Sequence, residues 1–245
     1  MNYKSGFTLA EVLITLGIIG VVAALTIPTL INKYQERELV TRARKAYAQV
    51  TNAIDMARAD RGYGDNTIIF NPKNTSSETL NKLVEYFKVQ EVCKPNEDAC
   101  GGRYEYKPAK PISNDGETYI GQQFYWMPRF MTIDGAVIGI SQYNACKRTV
   151  TYTKYENGVA VTDEDGNPVT YETTVHSCAI IMIDTTGNKG PNQIGKDVFS
   201  LTVLEDSFTS NADAFGGGIQ DVVKTGKLMD TVDYNIGDKI PETDK

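Results

Sequence analysis

The chain has 245 residues, 25 of them Lys or Arg and 31 Asp or Glu, for a net charge of −6. An acidic balance argues against bulk electrostatic binding to DNA or anionic lipid and leaves only local basic patches such as Lys147-Arg148. A single histidine, His176, with no G-x-S-x-G, P-loop or dinucleotide glycine pattern, leaves no nucleophile–base pair and points away from an enzyme.

The first element is apolar. Over residues 7–31 the only charged side chain is Glu11, while Thr8, Thr15, Thr26 and Thr29 can return their hydroxyls to helix carbonyls. The run over 12–30 is long enough to cross a bilayer, which takes about 20 helical residues. Lys4 before the run favours a cytoplasmic N-terminus, and Lys33 and Arg37 after it keep the charge bias small. A carboxylate in lipid costs roughly 2.5–3.5 kcal/mol on insertion scales, so Glu11 needs a partner. Three readings compete. One is a secretory signal cut near Val22-Ala23-Ala24, another a plain signal anchor.

The third rests on Gly6-Phe7-Thr8-Leu9-Ala10-Glu11, which resembles the processing site of type IV pilins and type II secretion pseudopilins. The resemblance implies a leader, 1–6, cut after Gly6 by a prepilin peptidase, and N-methylation of the new first residue, Phe7. It implies that Glu11, four residues on, pairs with the N-terminal amine of a neighbouring subunit, so that neither charge stays unpaired in an apolar core. It places Pro28 where many such helices carry a proline that kinks or melts them. Ala10 departs from the bulkier aliphatic common there. The implied partners are other pilin or pseudopilin subunits through their N-terminal helices, the peptidase, an inner-membrane assembly platform and the membrane itself. The implied location is the inner membrane, single-pass, with the C-terminal domain outside the cytoplasm, and then a periplasmic or cell-surface fibre.

Beyond the apolar run, Leu39, Ala43, Ala46, Tyr47, Val50, Ala53, Ile54 and Ala57 recur at intervals of three and four. That spacing predicts an amphipathic helix packed on its own globular domain, with a coiled-coil seam as the other reading. Gly62 and Gly64 stop it. The division expected is therefore a leader at 1–6, a helical spine at 7–64 (7–31 transmembrane, 32–62 amphipathic) and a globular domain at 65–245. The last holds 245 − 64 = 181 residues, enough for one core.

The fold class expected is α+β, a pilin-like long N-terminal helix packed on a C-terminal antiparallel sheet domain. Thr75 and Glu78 have capping-box spacing, and Leu80, Leu83, Val84 and Phe87 follow as a helical face. Asp134-Gly135 between two apolar runs predicts a hairpin over 130–140. Residues 149–155 and 169–175 alternate as half-buried strands joined by an extended turn that projects as a surface hairpin, and 179–183 is a short, fully apolar strand. Phe124-Tyr125-Trp126 reads as a core-facing strand, with a ligand platform as the alternative.

Cys93, Cys100, Cys146 and Cys178 allow three disulfide connectivities. The polar turn bracketed by Cys93 and Cys100 favours a local bridge, which leaves Cys146 with Cys178. Zinc is the competing reading, without a C-x-x-C pair to support it. The loop 184–199 resembles a pseudopilin and minor-pilin segment, D-x-x-G-x-x-G-P-N-x-x-G-x-D-x-F. Several major pseudopilins bind calcium nearby, so Asp184, Asn188, Asn192 and Asp197 are candidate calcium ligands, with a structural turn as the other reading. Asp163, Asp165 and Asn167 share that ambiguity. The function expected is a structural fibre subunit of a size that suits a minor pilin. The alternatives are a binding module for adhesion or DNA uptake, and a secreted protein with an ordinary signal.

Overall fold

The computed structural model describes residues 8–62, 64–123, 125–210 and 218–240. The chain falls into two compact units, one ending at Glu38 and one from Leu39 to Lys245. Helix α1 (Leu9–Asp60) begins in the first and ends in the second. Its helical hydrogen-bonded geometry continues through Pro28, so the melting that a proline there brings in similar helices is not found.

In the second unit the elements after α1 are a 3-10 turn at Asn66–Ile68, α2 (Ser76–Val84), β1 (Val89–Cys93), β2 (Glu105–Tyr106), β3 (Gln122–Gln123), β4 (Arg129–Thr132) and β5 (Val137–Gln142). Then come β6 (Lys147–Thr153), β7 (Tyr155–Glu156), β8 (Val159–Ala160), β9 (Thr170–His176), β10 (Ala179–Asp184), β11 (Val198–Val203), β12 (Phe208–Thr209) and α3 (Ile219–Thr225). The main sheet runs β1-β4-β5-β10-β11-β12, antiparallel at every pairing. The layout is α+β: a long N-terminal apolar helix followed by an antiparallel sheet domain.

Local chemistry accounts for the boundaries. The Thr75 hydroxyl accepts the Glu78 N–H while the Glu78 carboxylate accepts the Thr75 N–H, so α2 starts on a reciprocal cap. Asp134-Gly135 turns β4 into β5, with Gly135 at φ 87°, a conformation that costs glycine nothing. On α1, Val40, Ala43, Ala46, Val50, Ala53, Ile54 and Ala57 are buried, and the run of alanines lets the helix backbone approach the sheet.

The sheet is covered on both faces. Ala179, Ile181 and Ile183 of β10 join the main core with Ala43, Val50 and Ile54, whereas Ile180 and Met182 join a second cluster with Tyr106, Met127 and Ile194. Strand β10 is apolar at successive positions because neither of its faces meets water.

One expectation is met in part and one is corrected. The segment between Tyr155 and Val169 is a surface hairpin, as expected, but its first part does not project. It forms its own hairpin, β7–β8, through Asn157 (φ 50°) and Gly158 (φ 84°), and folds back on the loop before β3. There the Ser113 N–H donates to the Gly158 carbonyl at 2.8 Å, and a Cβ at Gly158 would collide with the Pro111 carbonyl oxygen. Beyond it, Asp163 Oδ1 accepts the N–H groups of Asp165 (3.0 Å) and Asn167 (2.8 Å), closing an exposed turn. Second, Tyr125 and Trp126 lie in a turn rather than a core strand, with Trp126 45% exposed; Phe124 lies outside the described residues.

Candidate assembly and processing site

Gly6 and Phe7 lie outside the described residues, so the structure enters at Thr8. The Thr8 N–H and hydroxyl both donate to Glu11 Oε2 at 2.8 Å, and the Glu11 N–H donates back to Thr8 Oγ1 at 3.3 Å. Thr8 and Glu11 thus form a capping box at the head of α1, a T-x-x-E spacing that could have been read from the sequence. Both Thr8 donors reach the same oxygen, which leaves Oε1 for a further cation.

Downstream, Thr15 donates its hydroxyl to the Glu11 carbonyl (2.9 Å) and Thr26 to that of Val22 (2.8 Å), so neither adds an unpaired polar group to the apolar surface. That surface is large: Leu9, Leu13, Ile19, Leu25 and Leu30 are all more than half exposed. The helix is long and apolar enough to cross a membrane. Such a face requires cover by lipid or by other helices. Glu11 is the one charged group within it.

In the second unit Cys93 is bonded to Cys100 and Cys146 to Cys178. Bonded sulfurs offer no thiolate, so the zinc reading loses its ligands. Inside the first of these loops sits Arg129, 1% exposed, whose guanidinium donates to the carbonyls of Tyr125 (3.1 Å), Glu97 (2.8 Å) and Ala99 (2.8 Å). This buried cation fixes the 93–100 loop and pulls the 125–126 turn down onto it. Sequence reasoning missed it, because no pattern distinguishes it from an exposed arginine.

At the loop 184–197 the structure brings together Asp184 and Asp197 and leaves Asn188 exposed. Asp184 Oδ1 accepts the N–H groups of Thr186 (3.0 Å) and Gly187 (2.8 Å), and its Oδ2 accepts the Tyr104 hydroxyl (2.6 Å). Asp197 Oδ2 accepts the Thr186 hydroxyl (2.7 Å) and the Asn192 N–H (2.9 Å), while Oδ1 accepts the Gln193 N–H (2.9 Å). Asn192 contributes its backbone amide here, not its side-chain oxygen. The carboxylates are ringed by hydrogens, whereas calcium needs a shell of oxygens, so the arrangement does not fit the ion. Tyr104 had no signal in the sequence.

Burial, and secondarily the Asp197 charge, pushes the Asp184 carboxyl up to about 7, against the lowering effect of its three donors. Burial likewise raises Asp197. An unfolded aspartate titrates near ~3.9. The raised value means the folded chain holds a proton that the unfolded chain has lost, so the stability it brings is complete below ~4 and lost as pH rises towards ~7. The melting temperature of the wild type should therefore fall across that window, and Asp184→Asn should flatten the fall. An equal slope in the variant would show that Asp184 does not titrate there.

Residues 1–27 match the family described as the prokaryotic N-terminal methylation motif. No curated protein and no solved structure matches the chain. Together with the apolar helix, the motif points to membrane anchoring before assembly, to a prepilin peptidase and to other pilin-type subunits as partners, and to a structural rather than catalytic role. The chain carries at its N-terminus the prepilin-type cleavage and methylation signature of type IV pilins and pseudopilins.

Proposed function

We propose that the chain is a structural subunit in the fibre of a type IV pilus or a type II secretion system. It is cut after Gly6, methylated on Phe7 and held single-pass in the inner membrane with its sheet domain outside the cytoplasm. From there it is drawn into the fibre with its apolar helix among those of its neighbours. The observation that supports this most is Glu11: a lone carboxylate heads the exposed apolar stretch of α1, four residues after the phenylalanine of a prepilin motif. Methylation keeps the Phe7 amine cationic, so the next subunit's amine and Glu11 can neutralise one another inside the bundle.

Shearing the cell surface or periplasmic fibres from a strain that carries the chain, and from its deletion, tests the reading. The expected result is the chain in the fibre fraction and a loss of fibres on deletion. Intact fibres with lost adhesion or DNA uptake would transfer the role to a binding module. Its absence from every fibre fraction would overturn both.

A further inference from the structure

The ribbon β6–β9 is not used by the assembly reading above. Its strands pair with each other over seven residue pairs, Lys147↔His176 to Thr153↔Thr170, and with no other strand among the described residues. Each therefore presents an outer edge. Residues 170–174 of β9 are exposed on both faces, and the pair is rich in threonine, valine and tyrosine, without proline. Natural sheets usually protect such edges with lysines, prolines or bulges, because an open edge templates a further strand. The ribbon is also held at its base. The Cys146–Cys178 bridge ties it to β10, Arg148 donates to the Ser177 carbonyl at 2.7 Å, and its guanidinium lies 3.2 Å from the Tyr143 ring centre. Little order would have to be gained on docking.

Charge indicates what the edge accepts. The base end carries Lys147 and Arg148. The far end carries Glu172 and, in the loops beyond, Glu156, Asp163, Glu164 and Asp165, against Lys154, which is paired with Glu156 at 2.8 Å. Side by side in the register found within one chain, Lys147 of one ribbon would face His176 of the next and Glu172 would face Thr151, so neither charge would meet its opposite. Offset, the base of one meets the far end of the next.

We propose that the outer edge of β9 receives the outer edge of β6 from a second copy of this chain, with Lys147 of one copy opposite Glu172 of the next. Arg148 then faces Tyr171, and Thr149 faces Thr170. This register is displaced by four residues from the pairing within one chain. An even displacement preserves both the alternation of faces and the phase of the hydrogen bonds. Each copy offers one giving and one receiving edge, a heterologous contact that propagates along a filament rather than closing on itself. The inference rests on the fibre reading, since it needs copies in repeated axial offset.

The test is the full-length double variant Thr149→Cys/Thr170→Cys, produced with its assembly machinery and run without reductant. Within one chain Thr149 faces Thr174 and Thr170 faces Thr153, so the new thiols lie four residues apart. That is about 13 Å along a strand, beyond the roughly 7 Å between Cα atoms that a disulfide spans. A bridge between positions 149 and 170 must therefore join two chains. The expected result is a ladder of dimers and higher multiples that neither single variant gives. Glu172→Lys should lower fibre yield severalfold, and adding Lys147→Glu should restore it. Normal fibres from the double-cysteine variant with no ladder, or from Glu172→Lys alone at the wild-type level, would overturn the ribbon contact and leave the fibre reading intact. If the wild type makes no fibres, that reading fails. A ladder from membrane-extracted chain would still support the contact, and no ladder would end it.

Discussion

Glu11→Gln should enter the membrane at the wild-type level and fail to enter fibres, with the ratio of fibre to membrane chain falling at least about tenfold, equivalent to ~1.4 kcal/mol. The substitution separates two roles of one side chain. Glutamine keeps an oxygen for the Thr8 N–H and hydroxyl, so the cap on α1 survives and the helix should start where it does now. It removes the charge but not the polarity, so the insertion cost falls by less than the roughly 2.5–3.5 kcal/mol of a carboxylate, and membrane levels should be equal or higher. What disappears is the partner for a neighbour's N-terminal amine. A cation left unpaired in an apolar bundle costs several kcal/mol, so the energy lost on assembly exceeds that gained in the bilayer. Quantifying the chain in sheared and membrane fractions decides it. Wild-type incorporation of Glu11→Gln would mean that the cap, not the charge, is the purpose of the carboxylate.

The largest expected effect on the folded domain comes from Arg129→Met. The methionine fills part of the space but supplies none of the donors, so the Glu97 carbonyl loses its donor, while those of Tyr125 and Ala99 keep only the N–H groups of Asn96 and Gly102. Leaving a buried acceptor without its donor costs about 1–3 kcal/mol. For a domain of this size that corresponds to a fall of roughly 2–12 °C in the melting temperature. Arg103→Met provides the control. That guanidinium also donates to a carbonyl, that of Asn96 at 2.8 Å, but it is exposed, and its loss should move the melting temperature by no more than a degree or two. Equal small shifts in both variants would show that the 93–100 loop stands on its disulfide alone.

How much of this was legible beforehand depends on how local the cause was. The alanine-rich stripe on α1, the capping box of α2, the Asp-Gly hairpin and the all-apolar β10 are each written in a few adjacent residues, and each appears where periodicity or turn chemistry put it. The hairpin within 155–169 was legible, and Asn157-Gly158 is a hairpin pair, but its fold-back was not, because the Ser113 N–H that the Gly158 carbonyl accepts lies forty-five residues away. The aromatic run at 125–126 fails for a different reason. Its neighbours have strand propensity, but the buried Arg129 takes the Tyr125 carbonyl and leaves that backbone in a turn. Tyr104 is eighty residues from Asp184, and no spacing rule connects them. Of the candidate assembly site, the T-x-x-E spacing of Thr8 and Glu11 was readable, and the reciprocal bond between them is what the structure adds.

The central claim is that this chain is processed as a prepilin, and the mass of its N-terminal peptide, taken from native membranes or sheared fibres, tests it most directly. The account predicts a chain that begins with N-methyl-Phe7. A chain that begins near Leu25 would mean ordinary signal-peptide cleavage, and one that retains Met1 would mean a plain membrane anchor. Either would contradict it.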